Sequence, residues 1–313
     1  MTTDIGELPS DPFLHCAFFY RGSDEYLAGT MDFIRTGLAN GEPVAVAVPG
    51  ANLTLVRDAL GADAGAVLLL DMAVAGRNPG RIIPSVKRAF ADAHPQRSVR
   101  IIGEPIWAGR SELEYPACAQ HEALINAAFT GREATILCPY DTAGLDKVVL
   151  DDALRTHPVV IDSHGEGAST VYDPGRVLDS YNEILPDAPP DSTVIAFDEA
   201  SLANTRHTAT GFARSAGMTA DRAIDLELVV AEATTNSVVH GGGSGALTLW
   251  VEEAQIVCRV QDNGCIADPL AGRIPVPPNR IGGRGLLLIN QLSDLVRLHT
   301  TPAGNTLQMH FAL

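Results

Sequence analysis

Two kinds of hydrophobic spacing divide the chain. In the first half, short apolar runs at 13–19, 43–48, 67–71, 99–103, 134–138 and 158–161 are rich in Val, Ile and Leu. Several are apolar at nearly every position, which suits strands buried on both faces, as in a parallel sheet. Between them the spacing becomes helical. Leu27, Met31, Ile34 and Leu38 form one stripe, with Ser23 as the expected N-cap and Asn40-Gly41 as the stop. Ile82, Ile83, Val86 and Phe90 form a second stripe, and Leu124, Ile125, Ala128 and Phe129 a third. Strand–helix–strand repetition predicts right-handed crossovers with helices on both sheet faces.

The last third follows another order. Helices are predicted at about 199–216 and 219–240, and alternating strands at 245–252 and 255–262. A Pro/Gly-rich loop at 268–283 follows. Then comes a helix carrying Leu286, Ile289, Leu292 and Val296, and a closing hairpin of 295–300 and 305–311. This order predicts an α/β sandwich whose sheet leans antiparallel. Gly, Pro and Asp accumulate over 162–192, and Pro189-Pro190 stiffens a linker at 186–191. The expected division is 11–185, a linker at 186–198, and 199–313. A length of 313 residues agrees with two domains.

Composition narrows the function. A net charge of -16 repels phosphate over most of the surface, so nucleic acid is not an expected partner. The same charge favours a partner's basic face. Hydrophobic content of 46% supplies real cores and excludes disorder as the main character. The start MTTDIGELPSD lacks a signal peptide's basic and apolar regions, and no apolar run approaches the ~18–20 residues that span a bilayer. Five scattered cysteines fit a reducing compartment. These features together predict a cytoplasmic protein.

Candidate chemistry concentrates in 227–243, ELVVAEATTNSVVHGGG. Glu232 and Asn236 share one helical face, and His240 continues it. Leu228, Ala231 and Val238, with Thr235, are expected to pack on the opposite side. A helix presenting a carboxylate and an amide before three glycines is suited to a ligand near its C-terminus, although polar pairs also occur on plain solvated faces. Asp262 falls in phase with Ile256, Cys258 and Val260, the expected buried face. A buried carboxylate needs a donor, and the exocyclic amine of adenine is one. Gly264 lets the backbone approach a base, while Asn263-Gly264 alone also reads as a turn. Gly282, Gly283, Arg284 and Gly285 precede an apolar helix, where free N–H groups and a guanidinium meet phosphate well.

Together, E-x-x-x-N on a helix, D-x-G after a strand and G-x-G before a helix resemble the ATP site of the GHKL superfamily, with its Bergerat α/β sandwich. The wording EATTNSVVHG, DNG followed by Asp268-Pro269, and GGRGL is most similar to the anti-sigma-factor serine/threonine kinases. The resemblance covers about 199–313. It implies ATP and Mg²⁺ as cofactors, Glu232 as general base, Asn236 as Mg²⁺ ligand and Asp262 as adenine acceptor. Gly264, Gly282, Gly283, Arg284 and Gly285 would shape the base pocket and phosphate lid. It also implies an anti-anti-sigma (STAS-type) partner, a sigma factor, and a homodimer. Two rival readings are a non-catalytic ATP-dependent binding module and a sensor histidine kinase. His207 is the candidate acceptor for the second, yet it falls on the ATPase domain's own first helix.

No Walker A sequence and no G-x-G-x-x-G after a strand occur in the first half. His15-Cys16, the run GLANGEPVAVAV at 37–48, Gly103-Glu104 with Trp107, Tyr115 with Glu122, Cys138-Pro139-Tyr140-Asp141 and His157-Pro158 resemble the MEDS sensory domain over about 11–162. That resemblance implies a small-molecule sensor, proposed for hydrocarbon-like ligands. In an open parallel sheet a ligand is expected at the strand C-termini, which carry Tyr20, Asp71, Glu104, Trp107, Tyr140 and Asp141. Cys118 with His121, and His15-Cys16, are candidate metal or redox groups, although buried cysteine is usually a small apolar residue.

Overall fold

The computed structural model describes residues 11–276 and 283–313. The N-terminal half alternates strands and helices: β1 (Phe13–Tyr20), α1 (Gly22–Ala39), β2 (Val44–Val48), α2 (Gly50–Leu60), β3 (Val67–Asp71), α3 (Met72–Ala75), α4 (Arg88–Asp92), β4 (Val99–Gly103), α5 (Tyr115–Phe129), β5 (Ala134–Asp141), α6 (Lys147–Thr156), β6 (Val159–Asp162), β7 (Gly165–Ala168) and α7 (Pro174–Ser180). They form a seven-stranded sheet in the order β3-β2-β4-β5-β1-β6-β7. The first six strands are parallel, as the double-sided apolar runs require. β7 adds antiparallel to β6, inside the Gly-rich stretch, where no hydrophobic alternation announces a strand.

Separate cores cover the two sheet faces. Phe13, Ala17, Ile136 and Cys138 meet α5 on one, while Cys16 and Val46 meet Ile34 of α1 and Val56 of α2 on the other. Two local expectations fail. Ser23 does not cap α1; the cap position is Arg21, whose N–H donates to Glu25 at 2.7 Å. The stripe at 82–90 is not one helix. Pro79 opens a 3₁₀ turn, Pro84 sits in a π turn over Ile83–Lys87, and only then does α4 begin. Pro84 has no N–H to donate, so the ladder cannot run straight through.

The C-terminal half contains β8 (Thr193–Asp198), α8 (Leu202–Ser215), α9 (Ala220–His240), β9 (Ser244–Glu252), β10 (Gln255–Asp262), α10 (Gly285–Leu292), β11 (Leu295–Thr301) and β12 (Gly304–Ala312). Its sheet order is β11-β12-β10-β9-β8, and every pairing is antiparallel. Helices α8, α9 and α10 cover one face through a continuous apolar core. Residues 193–198, read above as linker, are the edge strand β8. Val296 lies on β11 and not on the helix, because α10 stops at Leu292. Among the described residues, no helix is long and apolar enough to cross a membrane.

Candidate active site

Helix α9 places the first two site residues. Thr219 caps it by accepting from the Arg222 N–H at 3.5 Å. Its buried stripe is Ala223, Leu226, Val229, Val230, Ala233, Thr234 and Ser237. The stripe predicted from Leu228, Ala231, Val238 and Thr235 is not that face: Leu228 is 45% exposed and Thr235 is exposed. The helix is rotated so that Glu232 and Asn236 are half-buried beside the core and His240 is exposed.

Glu232 and Asn236 converge on the start of α10. A Cβ at Gly285 would lie 2.7 Å from Glu232 Oε2 and 3.0 Å from Asn236 Nδ2. Only glycine allows the backbone that close, and the carboxylate and amide therefore line one cradle at a helix N-terminus. Gly283, just before it, has φ +77°, a left-handed conformation that favours glycine. Arg284 is exposed beside them. Gly282 lies outside the described residues.

Asp262 closes the other end. It is half-buried, not fully buried as its phase in β10 suggested, because it is the last residue of the strand. Its Oδ2 accepts from Ser237 Oγ at 2.7 Å. Its Oδ1 accepts from the Gly264 N–H at 2.8 Å and from Asn305 Nδ2 at 3.1 Å. Asn263-Gly264 is thus not a hairpin turn: β10 pairs onward with β12, with Asp262 opposite Asn305. A Cβ on Gly264 would meet the Gly241 Cα at 2.9 Å, and one on Gly241 would meet Asp262 Cγ at 2.5 Å. Ser237 and Asn305 were not legible as site residues. Ser237 is the residue after Asn236, about 100° further round the helix on its buried stripe, and Asn305 is visible only through strand register.

These groups fit a nucleotide with its metal ion. Asp262 keeps lone pairs for an amine, since its three donors are spread over two oxygens. Glu232 and Asn236 supply oxygen at the glycine cradle, the donor type that suits magnesium.

The loop around this site touches the N-terminal half. Leu270 packs against the core beneath α5, and Arg273 is buried. Asn290 of α10 donates to the carbonyls of Gly272 and Leu286, each at 3.1 Å, and its own carbonyl accepts from Asn78 Nδ2 at 2.8 Å. Ser85 Oγ donates to Gln291 Oε1 at 2.8 Å, and Arg77 pairs with Asp294. The residues flanking 277–282 on both sides therefore rest on the other domain.

In that other domain, Tyr20, Asp71 and Asp141 end β1, β3 and β5 on one sheet edge. Next to Tyr20 is an open cleft of about 490 Å³, lined by Phe19, Arg21, Glu25, Leu150, Asp162 and others. Tyr140 is fully buried, so it faces the core and not the edge. Trp107 is half-buried under the Arg110 guanidinium, 4.1 Å from its ring. Glu104 is 3% exposed and accepts from Asn52 Nδ2 at 2.8 and 3.0 Å. Burial pushes its carboxyl up to about 8, against the lowering effect of the Asn52 and Tyr26 hydrogen bonds.

The comparisons with known proteins follow this division. The MEthanogen/methylotroph, DcmR Sensory domain (MEDS) matches residues 14–158, and the histidine kinase-like ATPase domain matches 195–311. The second span begins within β8, inside what the sequence suggested was linker. The serine-protein kinase RsbW of Halalkalibacterium halodurans is 35% identical over 105 residues, 30% of this chain and 65% of that one. RsbW of Listeria monocytogenes is 35% identical over 108 residues, 30% of this chain and 69% of that one. The chain thus spans about two thirds of each relative. The RsbU and RsbW domains of Rv1364c from Mycobacterium tuberculosis align at TM-score 0.31 and 16% identity over 40% of this chain and 33% of that one. With a MEDS domain ahead of its ATPase domain, this chain belongs through its C-terminal half to the RsbW family of histidine kinase-like ATPases.

Proposed function

We propose that the chain is a cytoplasmic regulator whose C-terminal domain binds ATP with Mg²⁺. It would phosphorylate a serine or threonine on an anti-anti-sigma (STAS-type) partner, under control of a small molecule held by the N-terminal domain. The observation that carries this reading is the convergence of Glu232 and Asn236 on Gly285, with Asp262 held by Ser237 and Gly264 at the far end. Asp262 would accept from the adenine amine, and Asn236 would hold the metal ion. The ion offsets phosphate charge when bound. Glu232 would take the proton of the attacking hydroxyl, and Arg284 with Gly283 and Gly285 would meet the phosphates. The lid's contacts through Leu270 and Asn290 support control from the sensor side, because a shift in that domain reaches the lid directly.

The test is transfer of γ-labelled phosphate to a purified STAS-type protein. Wild type is expected to give acid-stable label on the partner. Glu232→Ala is expected to lose roughly 10²–10⁴-fold in rate while still binding ATP. Nucleotide binding without transfer would favour a non-catalytic partner-binding module. Acid-labile label on His207, which is exposed on α8, would favour a histidine kinase instead.

A further inference from the structure

The N-terminal domain buries a cluster that sensing at the sheet edge does not use. His15 of β1, Glu122 of α5, Cys138 of β5 and His157, just ahead of β6, are all buried, and each offers one ligand atom within 4.8 Å of the others. His15 Nε2 is 3.2 Å and His157 Nε2 3.0 Å from the same oxygen, Glu122 Oε2, and Cys138 Sγ is 3.5 Å from His15 Nε2. We propose that this cluster is a binding site for a divalent first-row transition metal, zinc or ferrous iron, ligated by Nε2 of His15 and His157, Sγ of Cys138 and one oxygen of Glu122.

The hydrogen bonds behind the histidines fix which nitrogens face inward. His157 Nδ1 lies 2.8 Å from the Ala153 carbonyl, which can only accept, so Nδ1 carries the proton. His15 Nδ1 lies 3.2 Å from Asn126 Oδ1. The Asn126 amide cannot be turned the other way, because its Nδ2 donates to the Thr156 carbonyl at 2.8 Å. Both Nε2 lone pairs therefore point at a carboxylate that also only accepts. Neither Glu122 oxygen nor His157 Nε2 has a hydrogen-bond partner among the described residues. The donors at hand are the Cys138 thiol, 3.5 Å from His15 Nε2, and Lys87 Nζ, 3.8 Å from Glu122 Oε1, too few and too distant to serve both imidazole nitrogens and the carboxylate, and a cation at the centre removes the conflict.

Spacing and chemistry agree. Donors about 2.0–2.3 Å from a tetrahedral ion stand roughly 3.3–3.8 Å apart; three of the separations here are 3.0, 3.2 and 3.5 Å, and all lie within 4.8 Å. Two imidazoles, a thiolate and a carboxylate suit zinc or iron better than magnesium or calcium. The backbone and Asn126 contacts are the outer-shell anchors such histidines usually have. Lys87 Nζ, 3.8 Å from both Glu122 Oε1 and Cys138 Sγ, is the competing cation. On metal binding the thiol proton leaves to solvent, and Lys87 remains as a donor to the thiolate. The paired motif Cys118–His121 does not form this site: Cys118 packs in the apolar core, and Cys16 faces the opposite side of the sheet.

The full chain should be produced in zinc- or iron-supplemented medium, because a closed site exchanges slowly, and separately in cobalt. One equivalent of metal per chain is expected after dialysis, with a thiolate-to-cobalt charge-transfer band and a tetrahedral ligand-field spectrum in the cobalt form. Cys138→Ser is expected to lose the charge-transfer band. Asn126→Ala, which removes no ligand, is expected to weaken affinity about 10–100-fold and serves if the first variant fails to fold. A folded wild type holding no stoichiometric zinc, iron or cobalt would overturn the proposal. So would a charge-transfer band that persists in Cys138→Ser, or metal loading unaltered by Asn126→Ala.

Discussion

At the residue scale, the candidate site is a set of close approaches that only small residues permit. Gly241, Gly264 and Gly285 each stand where a Cβ would strike Asp262, the Gly241 backbone or Glu232. That explains why three short, individually common motifs become informative together. Glu104 shows a different constraint. It is a carboxyl kept from water, with a folded value of about 8 against a usual value near 4.5. The native state therefore holds its proton more tightly than the unfolded chain, so its contribution is fully present below about pH 4.5 and is lost as pH rises through 8. Glu104→Gln is expected to flatten that slope and to raise stability above pH 8 on the order of 2 kcal/mol, as read by urea unfolding at pH 5 and pH 9. Equal stability changes at the two pH values would contradict this account of Glu104. The charge at residue 104 was legible as a candidate. Its burial was not, because Asn52 and Tyr26 reach it from α2 and α1, distant in sequence.

At the element scale, periodicity placed the N-terminal parallel strands and the closing hairpin to within a few residues. It failed where two apolar phases coexist. Helix α9 carries Ile224, Leu228 and Val239 on an exposed face as well as a buried stripe, so spacing alone chose the wrong side. It also failed at β7 and β8, whose pairing follows from the sheets that receive them and not from their own alternation. The 3₁₀ and π turns over 79–87 have a consequence here, because they hold Asn78, Gly80 and Ser85 against α10. Asn78→Ala removes the donor to the Asn290 carbonyl and leaves a buried acceptor unpaired. It is expected to cost about 1–3 kcal/mol in thermal or denaturant unfolding. A neutral effect would mean that this contact does not join the two halves.

At the scale of the whole molecule, the two domains were legible as a change of element order, and the family motifs of each were visible in the chain. Their junction was not. Arg77 with Asp294, Asn182 with the Thr300 backbone and Arg297 with the Leu113 carbonyl lie far apart in sequence, and nothing local marks them. They place the sensor half against α10 and β11, beside the lid segment. If the proposed function holds, a ligand that favours one arrangement of that contact is expected to change the C-terminal domain's affinity for nucleotide, and nucleotide to change the affinity for the ligand by the same coupling energy. All of this rests on the C-terminal domain binding nucleotide through the residues named. Calorimetric titration of ATP–Mg²⁺ into the full chain, Asp262→Ala and Asn236→Ala tests that most directly. Saturable binding by wild type is expected, with its loss in Asp262→Ala and binding that no longer depends on Mg²⁺ in Asn236→Ala. No binding by the folded wild type, or unchanged binding in Asp262→Ala, would contradict it.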